Sequence, residues 1–198
     1  MSKYLRYGFV EDLDTVRHIS LGDLGGIRIS ITPVTWLGPF LFFGLGLALN
    51  ALGPEMSLRE SLYQAWVFML AVEITTLLHA TGHILGGKLV QSPMDELLIT
   101  ATRGVNIYRG DQDKIPSSVH LGRALGGPLL NLAVAGVLYL LLPILNIRFA
   151  VGLLESLAST NLFFGAGSFL PLPSVDGQVI WREALYHLRL QLRPDKTD

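Results

Sequence analysis

The chain has 198 residues, of which 50% are hydrophobic and 16% charged, with a net charge of -1 and no cysteine; its mean hydropathy is +0.45. An ordinary soluble domain carries about 25% charged residues, so this composition excludes disorder, a coiled coil and a typical soluble enzyme, and it points to one integral membrane domain. A balance this close to neutral argues against nucleic acid as a partner, and the lack of cysteine removes disulfides, thiolate metal sites and a cysteine nucleophile.

Residues 1–30 are mixed and charged (Lys3, Arg6, Glu11, Asp12, Asp14, Arg17, Asp23, Arg28) and are expected to form a cytoplasmic N-terminal segment. A cleavable signal peptide would put its apolar core there, and none is expected. Four apolar segments follow, at 31–52, 62–90, 121–145 and 149–170, each long enough to cross roughly 30 Å of hydrocarbon as a helix. The first has no charge, the second carries Glu73 mid-span, and the fourth has Glu155 near its start. The connections at 53–60 and 146–148 are short, so spans one and two, and spans three and four, are expected to be antiparallel neighbours. Residues 97–109 alternate and are rich in β-branched side chains, which predicts a short interfacial β-hairpin turning at Arg103-Gly104. Residues 177–192 mix Val179, Ile180, Trp181, Leu185 and Leu188 with Arg182, Glu183, His187 and Arg189, the pattern of an amphipathic helix on the membrane surface. The predicted architecture is therefore an all-α integral membrane protein of about four transmembrane helices, with a short β-hairpin and a C-terminal amphipathic helix. Its divisions are a segment at 1–30, a membrane core at 31–177 and an interfacial helix and tail at 178–198. Of the 15 lysines and arginines, all but Arg59 and Arg148 fall in the N-terminal segment, the central loop or the tail. That bias puts both termini in the cytoplasm of a multi-pass protein and fits a bacterial plasma membrane.

Three features could carry chemistry. In His79-Ala80-Thr81-Gly82-His83 the histidines are four residues apart and share a helix face, so both imidazoles could meet one metal ion or simply hydrogen-bond within a bundle. Ionisable groups deep in a span favour the functional alternative. In Ser168-Phe169-Leu170-Pro171-Leu172-Pro173-Ser174-Val175-Asp176-Gly177 the prolines break the fourth span, and the Asp176 carboxylate arrives as either a ligand or a helix cap. Gly126-Gly127-Pro128-Leu129-Leu130-Asn131 opens the third span with small residues that permit close helix approach and an amide that can bond across an interface.

In this order the three motifs resemble those of the site-2 protease family of intramembrane zinc metalloproteases, over residues 26–177. Those motifs are His-Glu-x-x-His, a Gly-Pro-x-x-Asn segment, and Asn-x-x-Pro-x-x-x-x-Asp-Gly. The resemblance implies that His79, His83 and Asp176 are zinc ligands with water as the fourth, and that Asn131, Asn161 and Pro171 belong to a groove for a substrate or partner. It also implies that the hairpin presents an extended membrane polypeptide by edge pairing. Two positions depart from the family. Ala80 stands where the general base should be, a loss that typically costs about 10²–10⁴ in rate, and Ser168 stands where the family has asparagine. Glu73 does not replace the base, because two helical turns separate it from position 80 by about 10 Å; a neutral or hydrogen-bonded intramembrane carboxyl is expected there. Glu155 starts on the other side of the membrane, and His18, His120 and His187 read as surface histidines.

Three functional readings result, two of them from the resemblance and the last from another class. One is a catalytically impaired, zinc-binding relative that holds another membrane protein or transmembrane helix within the bilayer. Another is an intramembrane metalloprotease carrying an inactivating Glu-to-Ala substitution at position 80. The last is a metal-free structural subunit of a membrane complex.

Overall fold

The computed structural model describes residues 17–144 and 151–191. In chain order the elements are strands β1 (Ile19–Leu24) and β2 (Ile27–Ile31), helices α1 (Leu37–Ala51) and α2 (Leu58–Leu89), strands β3 (Glu96–Ile99) and β4 (Gly104–Ile107), and helices α3 (Ser117–Leu141), α4 (Val151–Gly167) and α5 (Asp176–Gln191). The expected loop at 146–148, Arg148, the charged residues before Arg17 and the basic residues Arg193 and Lys196 lie outside the described residues.

The all-α expectation needs correction. Residues 19–31, with 19–30 expected only as charged cytoplasmic chain and Ile31 as the start of the first span, form an antiparallel strand pair. Gly25 and Gly26 make the turn, at φ 59° and 83°, the backbone region that a two-residue hairpin turn requires. This pair joins the predicted hairpin in one four-stranded sheet of order β1-β2-β3-β4, in which β2 and β3 run parallel with Ile29 opposite Leu97. The β3–β4 turn also moves: Thr100 N–H donates to the Arg103 carbonyl at 2.9 Å, so Ala101-Thr102 occupies the corner instead of Arg103-Gly104. One face of the sheet, through Ile27, Ile29, Leu97 and Ile99, packs with Met94 and Tyr108 against Ala80 and Ile84 of α2.

Sheet pairing also shortens the first predicted span. Ile31 is the last residue of β2, Thr32 N–H donates to the Ile99 carbonyl at 3.0 Å, and the Thr35 hydroxyl donates to the same carbonyl at 2.8 Å. Helix α1 therefore starts at Leu37 and has 15 residues. The start of α2 is fixed by a reciprocal cap, with Ser57 N–H on Glu60 Oε2 at 3.0 Å and Glu60 N–H on Ser57 Oγ at 3.3 Å. Helix α3 begins four residues before its predicted start, so His120 is not a surface histidine: it is buried, with Nε2 3.1 Å from the Gln112 carbonyl.

Among the described residues, two helices, α2 (32 residues) and α3 (25 residues), are long and apolar enough to cross a membrane. At the other two predicted spans, α1 has 15 residues and α4 has 17. Protein covers only 33% of the most apolar stretch of α2 and 28% of that of α3, far too little for the core helix of a soluble protein. Phe40, Trp66, Leu140 and Phe163 face outward, while Thr75, Asn131, Thr160 and Asn161 are buried. Such inverted packing suits helices whose outer solvent is hydrocarbon and whose contacts are small or polar.

Candidate metal centre

The site begins with a close approach of α2 and α3. A Cβ added to Gly82 would overlap the Gly126 carbonyl oxygen, and one added to Gly126 would overlap that of Gly82. Small residues at both positions let the backbones touch, and this puts the histidine face of α2 directly over residues 123–131 of α3. His79 and His83, one helical turn apart, have ring centroids 4.7 Å apart and nearly perpendicular rings.

The third group arrives from α5. Helix α4 stops at Gly167, and Pro171 and Pro173 hold the next segment in irregular backbone. Ser174 adopts φ 65°, with its N–H 3.3 Å from Gln178 Oε1 and its carbonyl 3.2 Å from Arg103 Nη1 of the β3–β4 turn. Asp176 then opens α5. Gly177 packs so tightly on the Phe169 and Leu170 backbone that a Cβ would overlap it, and Trp181 Nε1–H donates to the Phe169 carbonyl at 2.7 Å. These contacts aim the Asp176 carboxylate inward. Its Oδ2 lies 3.0 Å from His79 Nε2 and its Oδ1 3.3 Å from His83 Nε2, while the two Nε2 atoms are 3.0 Å apart. Asp176 is thus both the first residue of α5 and the acid that meets the histidines. Burial alone would raise this carboxyl, but the imidazoles beside it outweigh that effect and hold it well below the carboxylate range.

A zinc ion fits this donor set. The three donor atoms lie within 4.8 Å of one another, and ligands about 2.0 Å from a tetrahedral ion stand roughly 3.3 Å apart, close to the separations found here. A bare patch of backbone walls the centre: a Cβ on Gly127 would come within 2.5 Å of His83 Nε2 and 2.7 Å of His79 Nε2. Two neutral imidazoles and one carboxylate leave one position of a tetrahedral ion open, and a bound zinc would supply there a Lewis acid and an activated water.

The other predicted site residues are distributed as follows. Ala80 is buried, its methyl turned away from water and into the cluster of Ile27, Met94 and Leu97. Asn131 is fully buried with Nδ2 3.3 Å from His79 Nδ1. Asn161 is also fully buried, donating to Thr75 Oγ1 at 2.9 Å and to the Leu157 carbonyl at 2.8 Å, so its contacts join α4 to α2. Ser168 is half-buried in the turn after α4, and Pro171 is exposed. Glu73 Oε1 is buried without a hydrogen-bond partner and lies beside Gly38 of α1; Glu155 is exposed on α4.

Sequence reasoning missed Arg123. It is buried, donates to the Ser92 carbonyl at 2.8 Å, to the Ser92 hydroxyl and to Gln112 Oε1 at 2.9 Å, and stacks 4.0 Å over the Tyr108 ring. Burial pushes the Tyr108 hydroxyl up to about 12 despite this guanidinium. The carbonyl of Arg123 meets His83 Nδ1 at 2.9 Å. No signal in the sequence separates Arg123 from the other loop cations, because its role lies partly in a main-chain oxygen.

No family model matches the chain, and no curated protein matches it. Among solved structures, the fold is similar to the site-2 protease from Methanocaldococcus jannaschii, with a TM-score of 0.57 and 23% sequence identity over 91% of this chain and 74% of that chain. The protein therefore has the site-2 protease fold, as the three motifs implied.

Proposed function

We propose that this protein is a membrane-embedded, zinc-binding member of the site-2 protease architecture that holds another membrane polypeptide without cutting it. One observation carries the reading. Two imidazoles and a carboxylate from separate elements meet within 4.8 Å, and the residue after the first histidine is a buried methyl packed against the sheet. A methyl group neither takes a proton from a zinc-bound water nor returns one to a leaving amine. The edge position of β4, whose Gly104 lies over Ala80, supports a partner bound as an extended strand. The concentration of basic residues in the segments flanking the sheet supports an orientation with sheet and termini in the cytoplasm, in a bacterial-type plasma membrane.

The test is elemental analysis and peptidase assay of the full chain in detergent. Near-stoichiometric zinc, lost in His79→Ala, and no cleavage of transmembrane peptides is the expected result. Zinc-dependent cleavage by the chain as it stands overturns the non-proteolytic role, and a metal-free protein replaces it with a purely structural subunit.

A second reading is a protease inactivated by a Glu-to-Ala substitution at position 80, and the intact donor geometry favours it. Ala80→Glu then restores hydrolysis, and an alanine codon in the encoding gene excludes it. Ser168, where the resembling family has asparagine, is unexplained by this second reading.

A further inference from the structure

Asn131 has no exposed surface, and its side-chain oxygen has no hydrogen-bond partner among the described residues although its Nδ2 faces His79 Nδ1 at 3.3 Å. The other histidine shows what that imidazole requires. His83 Nδ1 lies 2.9 Å from a main-chain carbonyl, which only accepts, so Nδ1 carries the proton and the Nε2 lone pair faces the centre. His79 also directs Nε2 at the centre, 3.0 Å from both His83 Nε2 and Asp176 Oδ2. A neutral His79 that offers this lone pair to a cation must carry its proton on Nδ1. An amide NH2 against that N–H would set donor on donor. Exchange of the amide oxygen and nitrogen by a half-turn, which leaves the shape of the side chain unchanged, makes an N–H···O bond in the same place. An unpaired amide atom remains in either orientation, so the His79 proton decides between them.

We infer that Asn131 is a positioning residue for the metal centre: its amide oxygen accepts from His79 Nδ1–H, holds that imidazole in the tautomer whose Nε2 faces the cation, and so does for His79 what the Arg123 carbonyl does for His83. The inference rests on the zinc-binding reading above and adds to it the group that sets one ligand's tautomer. An acceptor behind a ligating imidazole also raises its basicity, and losing one typically weakens metal binding by about 10–100-fold.

Zinc affinity of the full chain in detergent, measured by competition with a chelating fluorophore, is the test. Asn131→Leu, similar in volume but without an acceptor, should weaken binding by about 10–100-fold. Asn131→Asp keeps an oxygen acceptor and should bind at least as tightly as the parent. Asn131→Ser, too short to reach Nδ1, should behave like the leucine variant, and it decides the matter if the leucine variant does not fold. Parental affinity in both the leucine and serine variants overturns the inference, since packing alone would then account for Asn131. Equal loss in the aspartate and leucine variants overturns it too, because an acceptor would not be what the site needs. If the parent chain itself binds no zinc, the metal reading fails first, and that result is distinguishable from either of the others.

Discussion

At the scale of single residues, the His79–His83–Asp176 cluster depends as much on an absent side chain as on its three polar groups. Gly127 leaves open the volume that the two imidazole nitrogens face, and a methyl there would stand 2.5–2.7 Å from them. Gly127→Ala should abolish stoichiometric zinc binding, by elemental analysis, in protein that still folds and runs as the parent does in size exclusion. A separate charged residue supports the sheet. Burial alone would raise the Glu96 carboxyl, but hydrogen bonds from Ser30 (2.6 Å) and Arg109 (2.7 Å), together with the His18 and Arg109 charges, outweigh it and hold the group below its ordinary value. A carboxyl depressed in the folded state contributes stability above its unfolded pKa of about 4.3, and that contribution is lost as pH falls through the lower folded value. Glu96→Gln should therefore cost on the order of 1–2 kcal/mol at pH 7, and the gap between variant and parent melting curves should narrow below about pH 4. The pairing of the two histidines on one helix face was legible from their spacing, whereas Asp176 stood open between helix cap and ligand until the motif resemblance placed it with them. Asn131 was legible as a polar residue in a span, but its contact with the back of His79 was not, because a contact between α2 and α3 leaves no local pattern in either helix.

Among the elements, α5 both carries an amphipathic pattern and delivers the Asp176 carboxylate to the histidine pair. Its first turn is held by Asp176 at the centre and Gly177 on the Leu170 backbone, and its second by Glu183, which accepts from the Ser117 hydroxyl at 2.5 Å at the start of α3. Zinc would bridge α2 and α5, so chelation should loosen the joint. Addition of a strong chelator is expected to speed proteolysis within 176–191 and to lower the melting temperature; a ligand at 100 times its Kd contributes about 2.7 kcal/mol. The Asp176→Asn variant should show both effects without chelator. On the opposite side of the site, Gly82→Val should push α2 and α3 apart and destabilise the fold by several kcal/mol, because its branches would enter the Gly126 backbone. The four helices of the core were readable from long apolar runs. The strand pair at 19–31 also had a signal, since Gly25-Gly26 leads into the alternation Ile27-Arg28-Ile29-Ser30-Ile31, but the flanking charges hid it. What no reading of a single segment could supply is the pairing of β2 with β3, which lie 65 or more residues apart and meet only once α1 and α2 have folded back on each other.

For the molecule as a whole, the parallel pairing of β2 with β3 imposes a rule of parity. β2 leads directly into α1, α2 leads directly into β3, and the ladder between the strands holds residues 28–31 beside 96–99. The stretch between them must therefore cross a bilayer an even number of times, independently of where the basic residues fall. If α2 crosses once, α1 and the short link at 52–57 must bring the chain back. Yet α1 has 15 residues and reaches only about 22 Å, against roughly 30 Å of hydrocarbon. The lipid beside α1 must then be dented or its headgroups drawn inward, and the protein would sit in an asymmetric depression that is deepest around its shortest helix.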